Sequence, residues 1–178
     1  DQDEITCDTD PLLASSKPLD TDNDGIANCI DTDDDNDSYL DESDAFPLDA
    51  TEWLDTDNDG IGNNADTDDD NDGFSDQDEI TCDTDPLLAS SKPLDTDNDG
   101  VANCIDTDDD NDGFSDQDEI ACGSDSLDAT STPLDTDSDF IPNCVDTDDD
   151  NDGYLDESDA FPLDATEWLD TDADGIGN

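Results

Sequence analysis

A 25-residue acidic cassette recurs at 20–44, 55–79, 95–119 and 135–159. The copy at 95–119 reads DTDNDGVANCIDTDDDNDGFSDQDE, two D-x-D-x-D-G loops with only Thr107 between them. Across 178 residues there are 60 acidic side chains, two basic ones (Lys17 and Lys92) and no histidine, for a formal charge of -58. With 29% apolar residues, such a chain cannot bury enough surface to offset the entropy of ordering. Two carboxylates ~4 Å apart in water also repel by about 1 kcal/mol. A conventional hydrophobic core is therefore not expected. Divalent cations would cancel the charge and give the chain something to fold around. The same charge argues against nucleic acid and anionic membranes, which both need Lys/Arg patches. No apolar run reaches the length of a membrane span.

Alternate carboxylates ending in glycine are a calcium-loop pattern. Calcium takes six to eight oxygens, and a 12-residue loop supplies them from positions 1, 3, 5, 7, 9 and 12, with position 7 giving its backbone carbonyl and glycine at position 6 making the turn. The first loop of each cassette predicts these ligands: Asp20, Asp22, Asp24, Ile26, Asn28 and Asp31; Asp55, Asp57, Asp59, Ile61, Asn63 and Asp66; Asp95, Asp97, Asp99, Val101, Asn103 and Asp106; Asp135, Asp137, Asp139, Ile141, Asn143 and Asp146. The second loops predict Asp33, Asp35, Asp37, Tyr39, Asp41 and Asp44; Asp68, Asp70, Asp72, Phe74, Asp76 and Glu79; Asp108, Asp110, Asp112, Phe114, Asp116 and Glu119; Asp148, Asp150, Asp152, Tyr154, Asp156 and Asp159. Asp170, Asp172, Asp174, Ile176 and Asn178 read as the head of a further loop, and Asp1 and Glu4 as the tail of another, as if the chain were cut from a longer protein. More acids are present than two ions per cassette require, so extra ions are expected, with Asp34, Asp69, Asp109 and Asp149 as bridging candidates. Two loops depart from the pattern. Ser38 and Phe140 stand where glycine is expected, and the Phe140 loop is predicted to be the weakest or most distorted.

The second loops recur with periods of 35, 40 and 40, set by two kinds of linker. Long linkers (5–19, 80–94, 120–134) carry the first cysteine of a pair; short ones (45–54, 160–169) read AFPLDATEWL and carry Phe46, Trp53, Phe161 and Trp168 instead. The repeats divide as 1–30 (a partial cysteine-type repeat), 31–65 (tryptophan type), 66–105 and 106–145 (cysteine type) and 146–178 (a partial tryptophan-type repeat), expected to form one continuous array. Six cysteines allow 15 pairings, but each copy holds one pair at a constant separation of 22, which selects Cys7–Cys29, Cys82–Cys104 and Cys122–Cys144. Closing a loop of that length is worth roughly 3 kcal/mol. Disulfides together with calcium point to an extracellular setting. The linkers are proline-broken and no long segment has helical periodicity, so little regular structure is predicted beyond short bridges or single helical turns.

The DTDNDGIANCIDTDDDNDG-like cassettes, the TDPL linkers and the cysteine pairs resemble thrombospondin type 3 repeats, particularly their bacterial forms. The resemblance implies a metal-centred, nearly core-less fold with about two calcium ions per cassette, and structural or adhesive roles outside the cell. The expected fold is mostly irregular: a calcium-centred tandem repeat array forming an extended, disulfide-stapled rod. The expected function is a rigid extracellular rod, filament or adhesin stalk that is secreted or displayed at the cell surface, with calcium ions and identical chains as partners. The alternative is an acidic calcium-storing or mineral-binding extracellular protein. An enzyme is not expected, because no histidine is present and the only basic residues are two linker lysines.

Overall fold

The computed structural model describes every residue except Asp1, Pro11 and Ala14. Two compact units divide the chain, Asp1–Lys92 and Pro93–Asn178. Among the described residues there is no strand, only three short helices, α1 (Gln2–Thr6), α2 (Asp76–Thr81) and α3 (Asp116–Cys122), and one 3₁₀ turn at Asp156–Ser158. At five to seven residues the helices slightly exceed the single turns expected.

Local chemistry explains where the helices form. Ser75 and Ser115 cap α2 and α3 by accepting the amide hydrogens of Asp78 and Asp118. Acidic residues fill both first turns, where negative charge is favourable at the positive end of the helix dipole. Gly123, at φ 80°, stops α3 and donates its N–H to the Glu119 carbonyl. In the second loops at 33–44 and 148–159, Leu40 and Leu155 replace the capping serines. Pro47 and Pro162 also restrict Phe46 and Phe161 just before them. No α-helix follows either loop.

The interior is largely carboxylate. Ala27, Phe74, Ala102 and Phe114 are the buried apolar residues, with Pro142 also enclosed; Asp35, Glu52, Asp69, Glu79, Asp110, Glu119 and Asp150 are buried beside them.

Each second loop places an aromatic residue at its seventh position, and each is covered by a group from farther along the chain. In the first unit Tyr39 stacks on Trp53 (centroids 5.2 Å apart, planes within 3°), and Lys92 lies 4.7 Å over the Phe74 ring while donating to the Asp72 carbonyl. In the second unit Phe114 packs on Phe140 at 6.0 Å and Tyr154 stacks on Trp168 at 5.2 Å. The tryptophans thus pair with loop tyrosines. Phe140 also corrects an expectation. Its φ of 72° is unfavourable for a bulky residue, yet its loop is not distorted. The Phe140 amide donates to Asp135 Oδ2 at 3.1 Å, as Gly100 donates to Asp95 at 3.2 Å. Its ring packs at a tilt on Phe114 while staying 63% exposed.

Disulfides join Cys7 to Cys29 and Cys122 to Cys144, with Cα separations of 5.6 and 5.5 Å. Cys82 and Cys104 are also disulfide-bonded, and no cysteine is free. The short-linker repeat uses a carboxylate instead. Glu52 is 8% exposed and its Oε2 accepts the Asn64 amide at 3.0 Å, while Asn64 Nδ2 donates to the Thr51 carbonyl at 2.5 Å. This latch requires a glycine: a Cβ on Gly62 would lie 2.1 Å from Glu52 Oε2, and one on Gly177 1.9 Å from Glu167 Oε2. Cysteine-type repeats have Ala27 and Ala102 at that position. A Gly62→Ala substitution should therefore evict Glu52 and cost roughly 1.5–3 kcal/mol, the worth of a charged hydrogen bond, measured as a lowered urea midpoint in calcium. Adding Glu52→Ala should cost little more, because the hydrogen bond it removes is already lost.

Candidate metal centres

Every acidic loop is curled by residues in the left-handed region at its fourth and sixth positions. In loop 68–79 these are Asn71 (φ 56°) and Gly73 (φ 100°). Between them the aspartates fold back on the chain: Asp70 Oδ1 accepts the Asp72 amide and Asp72 Oδ1 accepts the Phe74 amide, at 3.2 and 2.9 Å. One oxygen of each carboxylate is held by its own backbone and the other faces inward. Carboxylate oxygens converge within 4.8 Å of one another in the groups Asp20/Asp22/Asp24, Asp33/Asp35/Asp37, Asp55/Asp57/Asp59, Asp68/Asp70/Asp72 and Asp95/Asp97/Asp99, and four more such groups occur among the described residues. The first three predicted ligands of these loops are thus brought together.

The inward oxygens have no protein partner. In the second loops, enclosed and unpaired atoms fall at the first position (Oδ1 of Asp33 and Asp148), the second (Oδ1 of Asp34, Asp69, Asp109 and Asp149) and the third (Oδ2 of Asp35, Asp70, Asp110 and Asp150). They continue at the fifth (Oδ2 of Asp37, Asp72, Asp112 and Asp152) and the twelfth (Asp44, Glu79, Glu119 and Asp159). In the first loops they are Oδ1 of Asp20, Asp55 and Asp170 and Oδ2 of Asp57, Asp97 and Asp137. Buried carboxylates without a counter-charge cost several kcal/mol each. Lys92, beside loop 68–79, donates to the Asp72 backbone carbonyl. A donor set made only of oxygens, with no imidazole and no free thiolate, suits a hard divalent cation.

The electrostatics agree with the geometry. Burial, reinforced by Asp70 and Asp72, pushes the Glu79 carboxyl up to about 7. Burial raises Glu119, Asp35, Asp70, Asp110 and Asp150 as well. Asp34, Asp69, Asp109 and Asp149 are raised by burial and then by Asp41, Asp76, Asp116 and Asp156. Among first-loop carboxylates Asp22 is lowered, chiefly by the Asp24 amide. The second loops are the more enclosed set.

Several predicted ligands have other work. The ninth-position asparagines tie the first loop to its own start. Asn28 Oδ1 accepts the Thr21 amide and its Nδ2 donates to Thr21 Oγ1. Asn63, Asn103, Asn143 and Asn178 do the same with Thr56, Thr96, Thr136 and Thr171. Asn63 and Asn143 also donate to Asp69 and Asp149 at 3.0 and 2.9 Å, which locks the second loop to the first. At the ninth position of the second loops, Asp41, Asp76, Asp116 and Asp156 accept the amides of Asp34, Asp69, Asp109 and Asp149, each at 2.9 Å. Asp31, Asp66, Asp106 and Asp146 fold the seam by accepting the next two amides. Glu4 is half-buried in α1, where Glu79 stands in α2; Asp1 lies outside the described residues. The Glu52 latch and the threonine–asparagine ties escape sequence reasoning. Their one visible signal is glycine at 62 and 177 where other copies have alanine or proline.

The model of the bacterial TSP3 repeat matches twice, at residues 68–89 and 108–129. These two stretches are bacterial TSP3 repeats. Each matched TSP3 stretch starts at the first aspartate of a second loop, runs through the capped helix and its cysteine, and ends in the long linker. The TSP3 unit is thus out of phase with the 25-residue cassette: its loop is closed by a helix-borne glutamate, Glu79 or Glu119. A search of curated proteins finds no match to the chain. TSP3 repeats are structural calcium-binding repeats and not an enzyme family.

Proposed function

We propose that the chain is a calcium-loaded structural element of an extracellular protein, a stiff rod, filament or adhesin stalk. The observation that carries this reading is the set of enclosed carboxylate oxygens without partners, at matching positions in successive loops. Calcium occupies each loop. Asp20, Asp22, Asp24 and their equivalents hold the first-loop ion, and Asp33, Asp35, Asp37, Asp44 and theirs hold the second. Asp34, Asp69, Asp109 and Asp149, with both loops packed around them, link neighbouring ions across the threonine seam. Disulfides and TSP3 repeats support an oxidising, extracellular setting.

A calcium titration followed by calorimetry and circular dichroism tests the proposal. A structural element folds cooperatively as ions bind, with both signals sharing one midpoint. Graded heat uptake without a folding transition would favour calcium storage and reject the structural role.

A further inference from the structure

The four complete second loops differ at the residue that closes them. Loops 68–79 and 108–119 end in Glu79 and Glu119, each 0% exposed and each carried on a serine-capped helix. Both Glu119 oxygens are enclosed and unpaired; so is Glu79 Oε2, while Glu79 Oε1 has only a long contact, 3.4 Å, from Thr84 Oγ1. Loops 33–44 and 148–159 end in Asp44 and Asp159 with no α-helix behind them. There only Oδ2 is enclosed and unpaired; Oδ1 is fixed by the amide of Phe46 or Phe161, each at 2.7 Å. The acids at the first, second, third, fifth and ninth positions are the same in both classes, whereas the tenth and eleventh differ, Glu42 and Ser43 against Gln77 and Asp78.

Glutamate thus offers two oxygens to the loop and aspartate one. Calcium accepts six to eight oxygens in flexible geometry, whereas magnesium needs six in a tight octahedron and keeps several waters. Losing one protein oxygen takes little from magnesium and more from calcium. We infer that the chain carries two classes of cation loop: the Glu-closed loops 68–79 and 108–119 select calcium, and the Asp-closed loops 33–44 and 148–159 discriminate weakly between calcium and magnesium. This rests on the cation-loop reading proposed above. It gives the array sites that fill with magnesium when calcium is scarce, placed in the repeats that lack a disulfide.

Site-resolved NMR of the whole chain tests it. The sixth-position amides report on each loop: Gly73 and Gly113 for the Glu-closed class, Ser38 and Gly153 for the other. Calcium is titrated with and without millimolar magnesium. Magnesium should raise the calcium midpoint about tenfold at Ser38 and Gly153 and less than about threefold at Gly73 and Gly113. Asp44→Glu with Asp159→Glu should bring the first pair toward the second. Equal magnesium effects at all four amides, or no change in the Glu variant, would overturn the two-class inference while leaving calcium binding intact. Amides that ignore calcium altogether would reject the cation loops and this inference with them.

Discussion

In a chelator at neutral pH the chain should unfold, and acidifying the chelated protein to about pH 4.5 should recover part of its compaction. The sign follows from the buried acids. Glu79 titrates at about 7 in the ion-free fold against an ordinary value of 4.5, and burial raises Glu119 and the second- and third-position aspartates of the second loops in the same direction. A carboxyl whose folded value is raised binds more protons folded than unfolded, so stability falls as pH rises between the two values. Near neutral pH the ion-free fold therefore carries most of its electrostatic penalty, and protonation below that relieves it. With calcium present the pH dependence reverses, because protons compete with the ion for the same oxygens. Near-ultraviolet circular dichroism of the Tyr39–Trp53 and Tyr154–Trp168 stacks measures both arms. Acidification that leaves the chelated protein fully unfolded would show that charge repulsion is not what opposes folding.

Replacing Glu119 by glutamine should be the most damaging single change of a loop ligand. The side chain is fully enclosed and both its oxygens lack protein partners. An amide can supply one neutral oxygen where the carboxylate offers two charged ones, and ligand charge sets calcium affinity over several decades. Binding at loop 108–119 should weaken on the order of 100-fold, about 2.8 kcal/mol. Loss of the ion should release α3 and the Phe114–Phe140 contact, because Phe114 and the first turn of α3 both lie within the loop. Isothermal titration, counting the sites that drop out, checks the affinity. By contrast Asp118→Asn, which alters a residue that hydrogen-bonds to the capping Ser115, should change calcium binding little.

Much of the loop geometry was legible in the sequence because it is local. The D-x-D-x-D-G spacing places three carboxylates on one curled loop, and the loop needs only its own amides to aim them. Constant spacing likewise pointed to the cysteine pairs at 7/29 and 122/144. What stayed hidden depends on contacts across repeats or on competition for a side chain. The ninth-position asparagines look like ligands by analogy with other calcium loops, yet Thr21 and its equivalents claim their amides. The capping role of Ser75 and Ser115 was obscured by prolines farther along the linkers, although α2 and α3 end before reaching them. Phe140 looked like a defect because its partner, Phe114, lies 26 residues earlier. The carboxylate latch at Glu52 was invisible for a similar reason: nothing near Gly62 in the chain explains why a side chain is forbidden there.

The central claim is that bound cations replace the hydrophobic core. Hydrogen exchange of the ion-free protein at neutral pH tests it most directly, read at the seam amides of Asp34, Asp69, Asp109 and Asp149, which hydrogen-bond to the ninth-position aspartates. The account predicts strong protection in calcium and exchange at unfolded-chain rates in chelator. Seam amides that stay protected without any divalent cation would contradict it.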